Sequence, residues 1–450
     1  MTNAMQSLTY LRPSALGRDG LALQTSGGVS ERAKAAHPRF FTGFLTAPEA
    51  TAVGLLAVAE VARTRYFQPL SAASLDPVVT GSRDRLRFES FSGCCGVYAR
   101  MDVLEAGLDG DIVDHGTTNV DVNAPLREAL ARISGLDPLH LSVGPDELTA
   151  STLDGTVVEK KVPLPARWLR GFAEVHVLSA GFDLRAELPA AEAVAFLRRL
   201  PGANDRSVLW AVPAGRSLRL TSRPVPGAVC LAGAGRLASL RGLFRYCKSL
   251  RVYGPPIKAG SQPVASAWEL DTGALRLTLT LSPEPHRGFS GEGAALTSLA
   301  GDEVADDADL VGALLSWDPT IDVSTLADGA AIDTARVRAA LAQLGTAGRV
   351  GYDVSESAYF HRVLPYDAAR AERDNPRLVG ARTLAESGAV ALDGESAATV
   401  RSGDQTYRVR RHPDGAMSCT CPWWAKHRGG RGPCKHALAV SIVTNAPVRV

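Results

Sequence analysis

Three cysteines and a histidine, Cys419, Cys421, Cys434 and His436, fall in one short stretch in the order Cys-x-Cys, a loop, then Cys-x-His. Three thiolates and one imidazole fill a tetrahedral zinc shell and leave no position for water or substrate, so the chemistry they predict is structural metal binding, not catalysis. Residues two apart on an extended strand point to one side, which lets Cys419 and Cys421 offer two sulfurs to one ion. They follow the strand-like run Thr406-Tyr407-Arg408-Val409-Arg410 and the turn signal Pro413-Asp414-Gly415. Cys434 and His436 open a run to Val440 that has few helix breakers and is entered from Pro433, so the first turn of a helix supplies the second pair. Two other readings of the thiols are a redox switch and clustered, buried free cysteines. His427 is the nearest competing ligand and reads as solvated or phosphate-facing, and His412 as a surface residue.

The spacing C-x-C, twelve residues, C-x-H resembles the SWIM zinc finger, whose four ligand positions map one for one onto these residues. The chain as a whole is similar to bacterial SWIM zinc finger family proteins, a likeness carried by Arg87-Phe88-Glu89-Ser90-Phe91-Ser92-Gly93-Cys94-Cys95-Gly96-Val97-Tyr98-Ala99-Arg100 and by Cys421-Pro422-Trp423-Trp424-Ala425-Lys426. The resemblance implies a structural Zn2+ and a role in contacting protein or DNA. It associates such chains with MoxR-type AAA+ ATPases and von Willebrand A-type proteins as partners, and it supplies no catalytic residues. Tryptophan and arginine are frequent interface anchors, and basic side chains meet phosphates. Trp423, Trp424, Lys426, Arg428, Arg431 and Lys435 are therefore the candidate partner-binding residues.

Composition bounds the rest. A chain of 450 residues exceeds one ordinary core, and 45% apolar with 21% charged residues is the profile of a folded globular protein. The most apolar stretch, Ala52 to Ala59, is too short to span a membrane, the amino terminus lacks a secretory core, and a cytoplasmic location is expected. Seven cysteines are few and odd in number, which argues against a disulfide framework. Cys94, Cys95, Cys230 and Cys247 read as buried free thiols. The net charge of +2 hides an asymmetry: from Arg401 onward nine basic side chains face only Asp404 and Asp414, giving +7 there and −5 for the remainder. Concentrated basic charge suits phosphates or an acidic protein surface.

The elements that must position the metal ligands are those of an α+β chain. Residues 1–36 form a loosely ordered leading segment, 37–302 an α+β region of unassigned role, 303–368 a winged-helix-like module and 369–450 the ββα finger region. Helical spacing covers Ala47 to Phe67 and the stripe Leu126, Ala129, Leu130 and Ile133. Alternation predicts strands around Leu86 and Phe88, from Val97 to Val103, and at 139–143, 156–162, 208–212, 218–220 and 275–281. In the module, one helix ends near Trp317 and Pro319, Ser324 caps a second, and Asp333 caps a third with Val337, Ala340, Leu341 and Leu344 on its apolar side. A hairpin follows at 349–352 and 359–363. Asp302, Glu303, Asp306, Asp307 and Asp309 would repel phosphates from this module, so a packing role is expected of it.

Other constellations carry less. Asp109 to His115 gathers carboxylates and an imidazole but reads as a polar turn. Gly288 to Gly293 lacks the Gly-Lys-Ser/Thr ending of a phosphate loop, Gly233-Ala234-Gly235 lacks a third glycine, and Ser290 is not in a nucleophile elbow. A non-enzymatic zinc protein acting through its finger is the leading expectation. An enzyme with its chemistry in the N-terminal region is the alternative.

Overall fold

Side-chain alternation sorts the strands of this protein into an apolar face and a charged one. In Val97–Leu104, Val97, Ala99, Met101 and Val103 join one hydrophobic core, while Tyr98, Arg100 and Asp102 point the other way. Leu275–Leu281 pairs with it antiparallel, Leu275 opposite Val103 and Leu281 opposite Val97, so its leucines lie on the same apolar face and Arg276 on the charged one.

The computed structural model describes residues 39–67, 77–112, 115–202, 205–296, 302–315, 320–364, 375–413 and 415–444, together with a short ladder pairing Ala15–Gly17 with Gly20–Ala22. Apart from that ladder, the expected leading segment 1–36 lies outside the described residues, as do Trp317, Pro319 and Asp414. The centre is an eight-stranded antiparallel sheet in the order Asp183–Pro189, Ser249–Gly254, Ser266–Asp271, Leu275–Leu281, Val97–Leu104, Arg85–Phe91, Val78–Ser82 and Gly116–Asn119. A five-stranded sheet contains Phe41–Leu45 and His140–Val143 at its middle. The helices Pro48–Arg63, Ala124–Arg132 and Ala190–Arg198 and the 3-10 turns at Ala234–Tyr246 share the apolar core with both sheets. The first helix stops four residues short of the expected Phe67, because Thr64 turns the backbone to an extended conformation. Mixed helix and sheet is thus the architecture, as expected.

The charged face of the central sheet is not left to solvent. Three helices, Asp302–Leu314, Val323–Ala330 and Thr334–Thr346, are followed by the hairpin of Val350–Asp353 with Ala358–His361, in the order expected of the 303–368 module. Asp333 caps the third helix as expected, but Asp322, not Ser324, caps the second. Its carboxylate accepts from the amides of Ser324 and Thr325. A carboxylate is the stronger acceptor for a helix N-terminus, which explains the shift.

The hairpin lies over the sheet. Arg100 Nη2 donates to Asp353 Oδ1 at 2.7 Å and Arg276 Nη2 to Asp353 Oδ2 at 3.2 Å, while Arg87 Nε reaches Asp102 Oδ1 at 3.0 Å. Arg362 Nη1 reaches Glu89 Oε1 at 2.7 Å. All of these side chains are buried, and the helix Ala166–Ser179 closes the layer with Phe172 and His176 against Arg362. Removing several charges from water costs several kcal/mol each, so the layer is stable only because guanidinium and carboxylate alternate with close geometry.

Candidate metal centre

The finger sits on a four-stranded antiparallel sheet, Val390–Leu392, Ala397–Ser402, Gln405–Arg411 and Met417–Cys419, in sequence order. Its inner face, Ala398, Val400, Val409 and Met417, packs against the helix Lys435–Thr444, and the helix Pro376–Glu386 lies alongside. The architecture is therefore larger than the ββα unit read from sequence, since four strands and flanking helices share one core.

Each ligand is placed by an element end. Cys419 closes the last strand. Cys421 is not on that strand; it caps the short helix Pro422–His427, and Trp424 N donates to its Sγ at 3.4 Å. Cys434 precedes the helix Lys435–Thr444, where Ala437 N donates to its Sγ at 3.4 Å, and His436 sits in that helix's first turn. Two sulfurs thus face helix N-termini, where exposed amides favour the thiolate a metal requires. Hydrogen bonds from Cys419 and Cys434 hold the Cys421 thiol well below its ordinary range, while the same sharing pushes Cys419 far above it.

The donor atoms of all four residues lie within 4.8 Å of one another, and all four residues are buried. Cys419 Sγ stands 3.8 Å from His436 Nδ1. A tetrahedral zinc with sulfur at about 2.3 Å and nitrogen at about 2.0–2.1 Å needs an S···N edge of about 3.6 Å, so the cluster fits the ion. A metal there would tie the last strand to both helix starts. Neither the redox reading nor that of unrelated buried thiols accounts for an imidazole converging with three sulfurs. His427 does not join the cluster; its ring lies against Trp423 at 4.4 Å, and the Tyr407 ring lies tilted against His436 at the same distance.

The loop between the ligand pairs is folded back onto the N-terminal region. Arg431 Nη2 donates to Gly291 O at 2.7 Å, and Arg287 Nη2 to Gly430 O at 3.0 Å. Arg377, from the helix Pro376–Glu386, donates to Arg431 O at 2.7 Å, Pro433 O at 3.2 Å and Glu292 O at 2.6 Å. Its guanidinium also lies 4.6 Å from the Trp423 ring, with that of Arg431 at 5.5 Å. Gly432 has φ of +74°, and a Cβ there would strike the carbonyl of Gly293, so the two backbones meet only because this residue is glycine. Of the candidate partner-binding residues, Arg431 and Trp423 are engaged in this seam, Trp424 is half-buried in the finger core, and Lys435 packs against Gly380. Lys426 and Arg428 are exposed.

Sequence reasoning passed over Arg401, Arg408 and Arg410 as site residues. All three are exposed on the outer face of the finger sheet, opposite the metal. The signal was their alternation with Val400, Tyr407 and Val409. Among the sites set aside, Asp109 and Asp111 are exposed on the strand Leu108–Ile112, and Val113 and Asp114 lie outside the described residues. Ser290 is in a single 3-10 turn.

Residues 415–445 match the SWIM zinc finger family. No curated protein matches the chain. Among solved structures, the proliferating cellular nuclear antigen of Entamoeba histolytica is 10% identical, with 55% of this chain and 99% of that one covered at a TM-score of 0.36. The PCNA2–PCNA3 complex of Sulfolobus tokodaii is 8% identical, with 54% of this chain and 100% of that one covered at 0.37. Scores of that size carry no argument. What the ligand geometry and the family match establish together is that this chain carries a SWIM zinc finger at residues 415–445, built to hold a structural zinc.

Proposed function

We propose that this protein is a non-enzymatic interaction protein whose zinc finger presents a basic sheet face to nucleic acid. The observation that carries the reading is the outer face of the finger sheet. Arg408 and Arg410 alternate along one strand, Arg401 lies on its neighbour opposite Thr406, and none has a carboxylate partner among the described residues. Arg408 and Arg410 are spaced about 6.8 Å apart along the strand, with Thr399 and Ser418 opposite them. His412 continues the row and contacts Ser418 Oγ at 3.0 Å. The nearby carboxylates, Asp393, Glu395 and Asp404, sit at the strand ends and turns, with Asp393 accepting from Thr399. Lys426 and Arg428 add two further exposed cations to the finger.

An enzymatic reading would need a nucleophile and its base converging in a cleft. The titratable cluster of the N-terminal region instead pairs its charges with one another inside a closed layer. A partner of the MoxR or von Willebrand A type has no residue here that selects it.

The test is fluorescence anisotropy with labelled oligonucleotides across a salt series. Arg408→Glu with Arg410→Glu should weaken binding, and the plot of log affinity against log salt should lose about one unit of slope for each phosphate contact removed. Equal affinity of the double variant and the parent, with zinc retained in both, would move the nucleic-acid surface elsewhere. No binding of any oligonucleotide by the zinc-loaded parent would favour a protein partner.

A further inference from the structure

A cleft of about 440 Å³ opens between the N-terminal region and the finger. One wall is the helix Ala166–Ser179, with Glu174, Val177 and Leu178; a second is the proline-rich loop around Ile257; the third is the backbone of Gly429, Gly430 and Gly432 from the loop between the metal ligand pairs. The volume is within the range of small-molecule sites, and no lysine, arginine or histidine lines it. Its charge is supplied by two carboxylates, Glu174 and Glu292.

These two are not equivalent. Glu292 is spoken for, since Arg287 Nε donates to its Oε1 at 2.9 Å and Arg431 approaches at 3.6 Å. Glu174 is only 3% exposed and accepts from two backbone amides, Ala294 N at 2.6 Å and Ala295 N at 3.1 Å. It has no cationic hydrogen-bond partner among the described residues; the guanidinium of Arg377 acts on it only through space, its hydrogen bonds going to carbonyls. A carboxylate has about four acceptor positions, of which the amides take two. Burial pushes its pKa up to about 7 against the pull of the two amides and of Arg377.

We propose that this cleft is a binding site for a small apolar molecule bearing an ammonium head group, the ammonium pairing with Glu174 and the apolar body lying against Val177, Leu178, Ile257 and Val264. An anionic ligand meets Glu174 with no cation lining the cleft to hold it, and a neutral apolar molecule leaves Glu174 without its partner. The site is independent of the basic sheet face, so either can fail alone.

The full-length, zinc-loaded protein is titrated calorimetrically with phenethylamine, and with phenylacetate as the matched anion. Phenethylamine binds the parent, phenylacetate does not, and Glu174→Gln weakens the amine by about tenfold or more, the loss of one charged hydrogen bond. Val177→Trp, which fills the cleft from the helix side, removes binding while zinc content stays stoichiometric. No heat with phenethylamine at millimolar concentration in the parent overturns the proposal. Equal affinity in Glu174→Gln, or binding of phenylacetate alongside the amine, overturns it as well.

Discussion

At the scale of single residues, Asp353 holds the most exacting position in the molecule. It receives Arg100 and Arg276, lies 3.3 Å from Arg87, and its carboxyl is kept far below the ordinary range by those guanidiniums against the opposing cost of burial. Asp353→Asn should destabilise the fold by about 3–5 kcal/mol in urea denaturation, because three buried cations lose their shared anion. A loss below about 1 kcal/mol would mean that water screens the layer. His176 governs the acid side. Tyr352 N donates to its Nδ1 at 2.8 Å, and burial with nearby Arg362 and Arg100 holds its pKa well below 6.5. The unfolded chain therefore binds a proton below pH 6.5 that the native state refuses, and stability present above that pH is lost as the pH falls. Glu174 has the opposite sign: with a native pKa of about 7 against 4.5, it takes stability away as pH rises between those values. His176→Gln should flatten the acid limb of a urea-midpoint profile and leave unchanged the fall towards neutrality that Glu174 contributes. An unaltered acid limb would place the titration on another group.

At the scale of elements, what could be read in advance was whatever the local pattern determines. The strands Val97–Leu104 and Leu275–Leu281 alternate strictly and Arg85–Phe91 does so as far as Glu89, and the helix Thr334–Thr346 carries both its aspartate cap and its stripe. The zinc ligands were equally legible, because metal chemistry fixes residue type and spacing within one short segment. The helix Ala166–Ser179 was not, because Trp168, Phe172, Glu174 and His176 are buried together and polar and apolar positions no longer separate by face. Nor was the seam. Arg287 and Arg377 meet the finger loop and its neighbours across 143 and 54 residues of chain, a distance over which periodicity says nothing. The helix Pro376–Glu386 acts there as a bracket, through the hydrogen bonds of Arg377 and through Leu378 and Ala381, which pack with Leu296, Leu438 and Ala439. Arg377→Ala should leave zinc bound while speeding amide exchange through 429–433 and 291–295; protection unchanged in both segments would show that packing, not the guanidinium, holds the loop.

At the scale of the whole molecule, the metal and the N-terminal region are joined through that seam. Zinc binding is folding free energy for the elements it ties together. Chelation should therefore loosen more than the finger: exchange should rise in 415–444 and also in 287–295, while the central sheet keeps its protection. The amine cleft should weaken with it, since one of its walls is finger backbone. A response confined to 415–444 would make the finger an appendage. No helix of the described residues is long and apolar enough to cross a membrane.

The charged layer has one more consequence, for the order of synthesis. Arg100 emerges 253 residues before Asp353, a gap of about 13–50 s at translation rates of about 5–20 residues per second. As the sheet is completed, its guanidiniums and carboxylates stay hydrated beside Phe91 and Tyr98 on the face where the cover will later lie. A greasy surface waiting as long would recruit neighbouring nascent chains; this one repels the sticky contacts that seed aggregates until the hairpin arrives to dry it.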